Sequence, residues 1–351
     1  MAGGIGSRFW PVSRTDNPKQ FIDVMGTGLS MLQMTFARFE NICRRQNIVI
    51  VTGEQYADRV REQIPGLLPY QVLAEPLRRN TAPCVAYAAA VISQIDPEAT
   101  LVVSPSDHAI FHEDRFVDDI RQAVETVSER EWIIILGAQP TRPDTGYGYI
   151  QFNDEPSLPN ARNLHKVITF TEKPPVEMAR QFIASGEFYW NAGIFVWQLS
   201  VLRHAYEQYL PSVADSFFAL GLGTPWPELE RVYSLCESVS VDSGIMEKAN
   251  NVHVLSASFG WSDVETWDTL YGVAPHDSSD NAVASGELFS YNTRNCMVYV
   301  PHDKTVVLDG LDGYIVAEGE GILLICRRKN EDMLFKYSSD VELRKLIDTK
   351  Q

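Results

Sequence analysis

The residues best suited to chemistry stand at the start of the chain, in Ala2-Gly3-Gly4-Ile5-Gly6-Ser7-Arg8-Phe9-Trp10-Pro11 and then Pro18-Lys19-Gln20-Phe21. Glycines let backbone N–H groups approach a phosphate closely, and a helix start after them favours negative charge. Arg8 and Lys19 set two cations beside this loop, the makings of a triphosphate clamp. The dinucleotide fingerprint needs a third spaced glycine, but Gly4-x-Gly6 runs on to Phe9, and Gly6-Ser7-Arg8 is not the Gly-Lys-Ser/Thr of a P-loop. A plain glycine-rich turn is the alternative.

A second candidate, Ser104-Pro105-Ser106-Asp107-His108, follows the apolar run Leu101-Val102-Val103. Ligands of open α/β sheets bind beyond the carboxyl ends of the strands. An aspartate there can hold Mg²⁺, which needs few carboxylates and takes further oxygens from substrate phosphates. Capping a turn is the other role open to Asp107, and His108 reads as its hydrogen-bonded neighbour rather than a catalyst. In Gly260-Trp261-Ser262-Asp263-Val264-Glu265-Thr266-Trp267, either Ser262 or Asp263 caps the next helix, or Asp263 completes a metal site with Asp107. The pattern leaves both open.

Three further segments combine amide, carboxylate and aromatic groups with permissive glycines, as a sugar pocket does: Thr145-Gly146-Tyr147-Gly148-Tyr149-Ile150, Phe170-Thr171-Glu172-Lys173-Pro174 and Trp190-Asn191-Ala192-Gly193-Ile194-Phe195. Singly each is weak. Glu172-Lys173 also fits an exposed strand end, and Asn191 a turn.

These residues need a scaffold. Short β-branched runs at Asn47–Val51, Gln71–Leu73, Thr100–Val103 and Trp132–Leu136 alternate with helical stretches at Met31–Arg45, Thr81–Ile95 and His112–Arg130. Continuous apolar strands between helices predict a doubly wound, mostly parallel α/β sheet of Rossmann type over residues 1–275. From His276 the texture changes to short strands separated by turns such as Asp309-Gly310 and Asp312-Gly313. That predicts a small β domain over 276–351, with a few coils of a left-handed β-helix as one form it could take, and a closing helix after Arg327.

The 351 residues suit two domains, and 45% hydrophobic with 22% charged residues excludes a largely disordered chain. Lys plus Arg number 30 against 46 Asp plus Glu, a net charge of −16, which argues against a nucleic-acid binder. A few placed cations still suffice for a small phosphate. No apolar run approaches the roughly 20 residues of a membrane helix. Five scattered cysteines (Cys43, Cys84, Cys236, Cys296 and Cys326) suit neither a zinc site nor a disulfide framework, so a reducing, cytoplasmic compartment is expected.

Taken together, the motifs resemble the sugar nucleotidyltransferase family, and within it the mannose-1-phosphate guanylyltransferase branch. The family's G-G-x-G-x-R-[LF]-W-P-x-S-R…P-K-Q-F stands here as Gly3 to Arg14 and Pro18 to Phe21. Trp10 and Gln20 favour the mannose-1-phosphate branch over the glucose and N-acetylglucosamine ones. Glu75-Pro76 with Arg79-Asn80-Thr81-Ala82-Pro83, the later segments above, and Ser240 to Lys248 follow in family order over nearly the whole chain.

The resemblance implies transfer of GMP from GTP to α-D-mannose 1-phosphate, giving GDP-mannose and pyrophosphate. By the same resemblance the amides of Ala2, Gly3, Gly4, Gly6 and Ser7, with Arg8 and Lys19, hold the triphosphate. Glu75, Asn80 and Thr81 lie on the guanine and ribose side, and Mg²⁺ sits on Asp107 and Asp263. Lys173 holds the sugar phosphate, while Tyr147, Gly148, Glu172, Asn191 and Asp242 line the sugar. A relative with another sugar or nucleotide, or a non-catalytic nucleotide-sugar sensor, are the other readings. A sensor would have lost the clamp cations or the metal aspartates, and Arg8, Lys19, Asp107 and Asp263 are all here.

Three departures stand out. Family members carry a strand before the glycine loop, so residues upstream of Met1 are expected. The family usually has Gly-Ser where this chain has Glu265-Thr266. The bifunctional relatives continue into a phosphomannose isomerase domain, so isomerase activity is not expected. A homodimer through the small β domain is left open.

Overall fold

A computed structural model describes residues 1–4 and 7–348, with the side chains of Ser7 and 346–348 left aside. The chain packs as two compact units, each assembled from separate stretches. One holds Met1–Gly3, Phe36–Pro105 and Ile110–Trp261; the other holds Gly4–Thr35, Ser106–Ala109 and Ser262–Gln351.

The first unit is α/β. Its main sheet has six strands in the order Thr100–Val103, Phe188–Gln198, Ile133–Ala138, Val252–Ser256, Ala161–Thr171 and Tyr149–Leu158. Ile133 to Leu136 are all fully buried and show why the run is apolar throughout. Side chains alternate between faces of a strand. Accordingly Ile133 and Ile135 join a core with helices Thr81–Ile95 and Leu199–Tyr209, whereas Ile134 and Leu136 join another with Phe116, Ile120, Ala123 and Val127 of helix Glu113–Ser128. Both faces are covered. A separate parallel pair, Ile50–Gly53 with Val72–Glu75, runs in register from Ile50↔Val72 to Gly53↔Glu75. Ala2 N–H donates to Val51 O at 2.8 Å, and the Met1 α-amino group donates to Ser104 O at 2.8 Å.

The sheet is mixed, which corrects the mostly parallel sheet expected. Phe188–Gln198 pairs antiparallel with both Thr100–Val103 and Ile133–Ala138, and Ala161–Thr171 pairs antiparallel with Val252–Ser256. The cause is a long hairpin, Tyr149–Leu158 with Ala161–Thr171, inserted where a helical crossover would have kept strands parallel.

In the second unit, Ala282–Ser285, Met297–Tyr299 and Tyr314–Gly319 stack in parallel, with Ala282, Met297 and Ile315 in one row. Glu287–Tyr291 and Thr305–Asp309 form a second parallel ladder between them in sequence. Strands alternating between two ladders are the coils of a short β-helix. Ile322–Arg327 closes it antiparallel, before a 3₁₀ turn Arg328–Met333 and the helix Leu334–Asp348. Ala282, Met297, Ile315 and Ala317 pack with Phe9, Trp10, Ile22, Val24, Met31, Trp267 and Leu270 of the same unit. All five cysteines are free. Among the described residues no helix is long and apolar enough to cross a membrane.

Candidate functional site

In the second unit Lys19 gathers three oxygens. Its buried ammonium lies 3.1 Å from Asp107 Oδ2, and donates to Asp263 O at 2.6 Å and Val264 O at 3.3 Å. Thus Lys19, Asp107 and Asp263, distant in sequence, meet. Lys19 lies in the buried turn Lys19–Phe21, whose Gln20 Nε2 donates to Gly4 O at 2.9 Å and ties that turn to the glycine loop. Burial opposes ionisation of Asp107, but the Lys19 ammonium and His108 outweigh it, holding the carboxyl below its usual range. Gly6 and the Ser7 side chain lie outside the described residues.

Two carbonyls of adjacent residues can face one ammonium only if the chain turns sharply between them. Val264 supplies that turn, with φ +44° at a fully buried, β-branched residue. Such a conformation is an outlier and survives only where the surroundings over-determine it. Asp263 Oδ1 accepts the Glu265 N–H at 3.3 Å. The following helix, Trp267–Val273, is capped by neither Ser262 nor Asp263: Thr266 caps it, in a reciprocal box with Thr269. Arg8 pairs with Glu265 at 2.8 Å, both side chains substantially exposed.

Asp107 and Asp263 offer hard oxygen donors and no sulfur or imidazole. Among the described residues no group of three or more His, Cys, Asp or Glu could hold a metal by itself. A site with one or two carboxylates suits Mg²⁺, which keeps most of its shell for water and phosphate oxygens, so these residues fit that ion.

The first unit holds two further clusters. Asn191 Nδ2 donates to Asp242 Oδ1 at 2.7 Å, and Asn191 N–H donates to Gly148 O at 2.8 Å. Asn191 sits at an irregularity in the pairing of Phe188–Gln198 with Ile133–Ala138, the kind of bulge that re-aims a side chain. Asp242 opens a π-helical turn, Asp242–Met246. A Cβ on Gly148 would come within 2.6 Å of Glu172 Oε2, so glycine leaves room for that carboxylate. Burial is the main cause that raises the carboxyl pKa of both Glu172 and Asp242. The Asp242 charge adds to the rise at Glu172, Glu247 adds to it at both, and Lys173 opposes it at both. Two carboxylates, an amide and an exposed lysine therefore converge. Tyr147 is placed otherwise: its ring is buried against Trp190 at 4.9 Å and Trp261 at 5.1 Å, its hydroxyl accepts from Arg142, and its carbonyl accepts the Lys173 N–H.

The third cluster centres on Glu75, 7% exposed, at the end of its strand. Tyr233 Oη donates to Glu75 Oε1 at 3.1 Å. Burial drives the Glu75 carboxyl up to about 7, against the pull of Tyr233, the Met1 amine and Arg78. Tyr233 carries no sequence signal; only its pairing with Glu75 reveals it. Asn80 and Thr81 serve the local architecture. Asn80, at φ 68°, caps helix Thr81–Ile95 by accepting the Thr81 N–H, and Thr81 Oγ1 accepts the Val241 N–H at 2.9 Å, beside Asp242.

A buried lysine paired with an aspartate has the charges that phosphate chemistry uses. The family described as nucleotidyl transferase matches residues 1–280, and the chain belongs to that family of enzymes. Within it, the chain is 32% identical to the mannose-1-phosphate guanylyltransferase of Escherichia coli K12 over 343 residues, 95% of this chain and 71% of that protein. It is 33% identical to the protein of the same name from Klebsiella pneumoniae over 342 residues, again 95% and 71%. A solved structure described as mannose-1-phosphate geranyltransferase from Thermus thermophilus superposes with a TM-score of 0.88 at 28% identity, covering 97% of this chain and 98% of that one.

Proposed function

We propose that the protein transfers GMP from GTP to α-D-mannose 1-phosphate, releasing pyrophosphate and forming GDP-mannose. The observation that carries this reading is the meeting of Lys19, Asp107 and Asp263 around one ammonium beside the glycine loop. The relatives named above supply the guanylyl and mannose halves of it.

The chemical obstacle is repulsion between two anions. A phosphate oxygen of the sugar phosphate attacks the α-phosphorus, that O–P bond forms, and the bond to the bridging oxygen of pyrophosphate breaks. The attacking oxygen is already ionised at neutral pH, so no general base is required; placement and charge neutralisation do the work. Lys19 and Arg8 steady the triphosphate and the departing pyrophosphate, with the backbone amides of Ala2, Gly3, Gly4, Gly6 and Ser7. Arg8 must leave Glu265 to do so, which an exposed ion pair allows at little cost. Asp107 and Asp263 would hold Mg²⁺, which supplies neutralisation of phosphate charge when bound. Lys173 takes the sugar phosphate. Glu172, Asn191 and Asp242 accept from and donate to sugar hydroxyls, with the Gly148 backbone beside them, and Tyr147 supports this wall from behind. Glu75 lies on the guanine side, with Asn80 and Thr81 shaping the backbone there.

In this reading residues 1–275 supply the groups that touch the substrates, 276–351 are the β-rich part, which packs in one unit with Gly4–Thr35, and the protein works in the cytoplasm. The test is magnesium-dependent pyrophosphate release from GTP with mannose 1-phosphate, run beside ATP, UTP and glucose 1-phosphate. Equal rates with glucose 1-phosphate or UTP would displace the assignment.

A further inference from the structure

The segment Asp263–Thr266 is held at one end by Lys19, through the carbonyls of Asp263 and Val264. Its other end is held from near the C-terminus. Glu331, in the turn Arg328–Met333, accepts the Trp267 N–H through Oε1 and the Asp268 N–H through Oε2 at 3.2 Å. Arg328 of the same turn pairs with the Asp268 carboxylate. Trp267 is fully buried, its ring edge-on to Phe9 at 5.0 Å and its indole N–H donating to Trp10 O at 3.3 Å. One carboxylate therefore fixes both the backbone that leads to Asp263 and the indole that packs on Phe9 and bonds Trp10.

A left-handed, β-branched Val264 does not hold its conformation unaided. Lys19 pulls its carbonyl one way, and the chain must be anchored beyond Thr266 for that pull to set a geometry. We propose that Glu331 is a positioning residue for the reaction: acting through Trp267 and Asp268, it fixes the Asp263–Val264 peptide and so the triphosphate and metal side of the site. This rests on the reading of Lys19, Asp107 and Asp263 given above. It also gives the C-terminal turn a task in catalysis that the β-helix alone does not explain.

The experiment compares Glu331→Ala and Glu331→Gln in the full chain by three readouts. These are hydrogen–deuterium exchange of peptides spanning 262–268, Mn²⁺ affinity in the presence of GTP measured by electron paramagnetic resonance, and the separate KM values. Losing hydrogen bonds to a charged acceptor is expected to speed exchange about tenfold in Glu331→Ala, with Mn²⁺ affinity weakened and KM for GTP raised by about the same factor. KM for mannose 1-phosphate should stay within about twofold, and Glu331→Gln, which keeps an acceptor oxygen, should fall between. A residue that merely caps a short helix would speed exchange and leave Mn²⁺ and GTP binding at wild-type values. That outcome overturns the proposal, as does unchanged exchange. If Glu331→Ala fails to fold, Glu331→Gln decides on the same readouts, with a shift of about threefold expected and no shift overturning. An error in the substrate assignment shows elsewhere: the wild type would release no pyrophosphate, while the exchange and Mn²⁺ readouts need no turnover.

Discussion

Glu75 provides a prediction whose size follows from the structure. Its ordinary pKa is 4.5, and burial in the folded chain raises it to about 7. The folded state thus holds the proton more tightly than the unfolded one. Between pH 4.5 and 7 the native chain binds more protons, so this group's contribution to stability falls as pH rises through that window. At about 1.36 kcal/mol per pKa unit, the full cost of ionising Glu75 is ~3 kcal/mol above pH 7, with little screening because the residue is so nearly buried. Glu75→Gln keeps an oxygen for Tyr233 and removes the titration. We expect the variant to match the wild type near pH 5 and to exceed it by up to ~3 kcal/mol at pH 8. Urea unfolding followed by tryptophan fluorescence at about pH 5, 6, 7 and 8 measures the divergence. Parallel profiles, or a variant weaker than wild type at the alkaline end, would refute the reasoning. The same variant bears on the proposed place of Glu75: KM for GTP should rise while KM for mannose 1-phosphate holds.

Asp107→Asn keeps the shape and an oxygen for Lys19 but removes the charge, and kcat should fall by about 10²–10³ with the thermal midpoint nearly unchanged. Turnover close to normal with magnesium would remove Asp107 from the metal. Lys173→Ala should raise KM for mannose 1-phosphate well beyond any change for GTP, and equal shifts would take Lys173 out of its role. Gly148→Ala would set a methyl 2.6 Å from Glu172 Oε2, forcing that carboxylate aside. Its steady-state signature is a raised KM for the sugar phosphate with GTP unaffected; unchanged constants would separate Glu172 from the sugar.

The α/β class, the turn-rich β domain and the closing helix could all be read from the sequence, because period and turn chemistry are local properties. Ile133–Leu136 announced a strand buried on both faces by its unbroken apolar run. Strand direction was not legible. The antiparallel course of Phe188–Gln198 is decided by the hairpin inserted before it, a tertiary choice that its own residues do not encode. The same distinction applies to the candidate clusters. Asp107 and Lys19 drew attention by type and place. By contrast, spacing cannot bring Asp263 next to a residue 244 positions earlier in the chain. The cap was left open for a physical reason: Ser262, Asp263 and Thr266 all have cap chemistry, and only backbone geometry selects Thr266. Tyr147 and Tyr233 show the same limit for aromatics, since one is turned into a ring cluster and the other onto a buried carboxylate.

The second compact unit has a consequence for biosynthesis. Phe9, Trp10, Ile22, Val24 and Met31 find their apolar neighbours largely among Trp267, Leu270, Met297 and Ile315, and Trp10 and Trp267 are 257 residues apart. At about 5–20 residues per second, roughly 10–50 s of translation separate the emergence of these partners. Throughout that interval Phe9, Trp10, Ile22, Val24 and Met31 lie outside the ribosome without the side chains that will bury them. These apolar side chains therefore reach their packed state only after Trp267, Met297 and Ile315 have been synthesised.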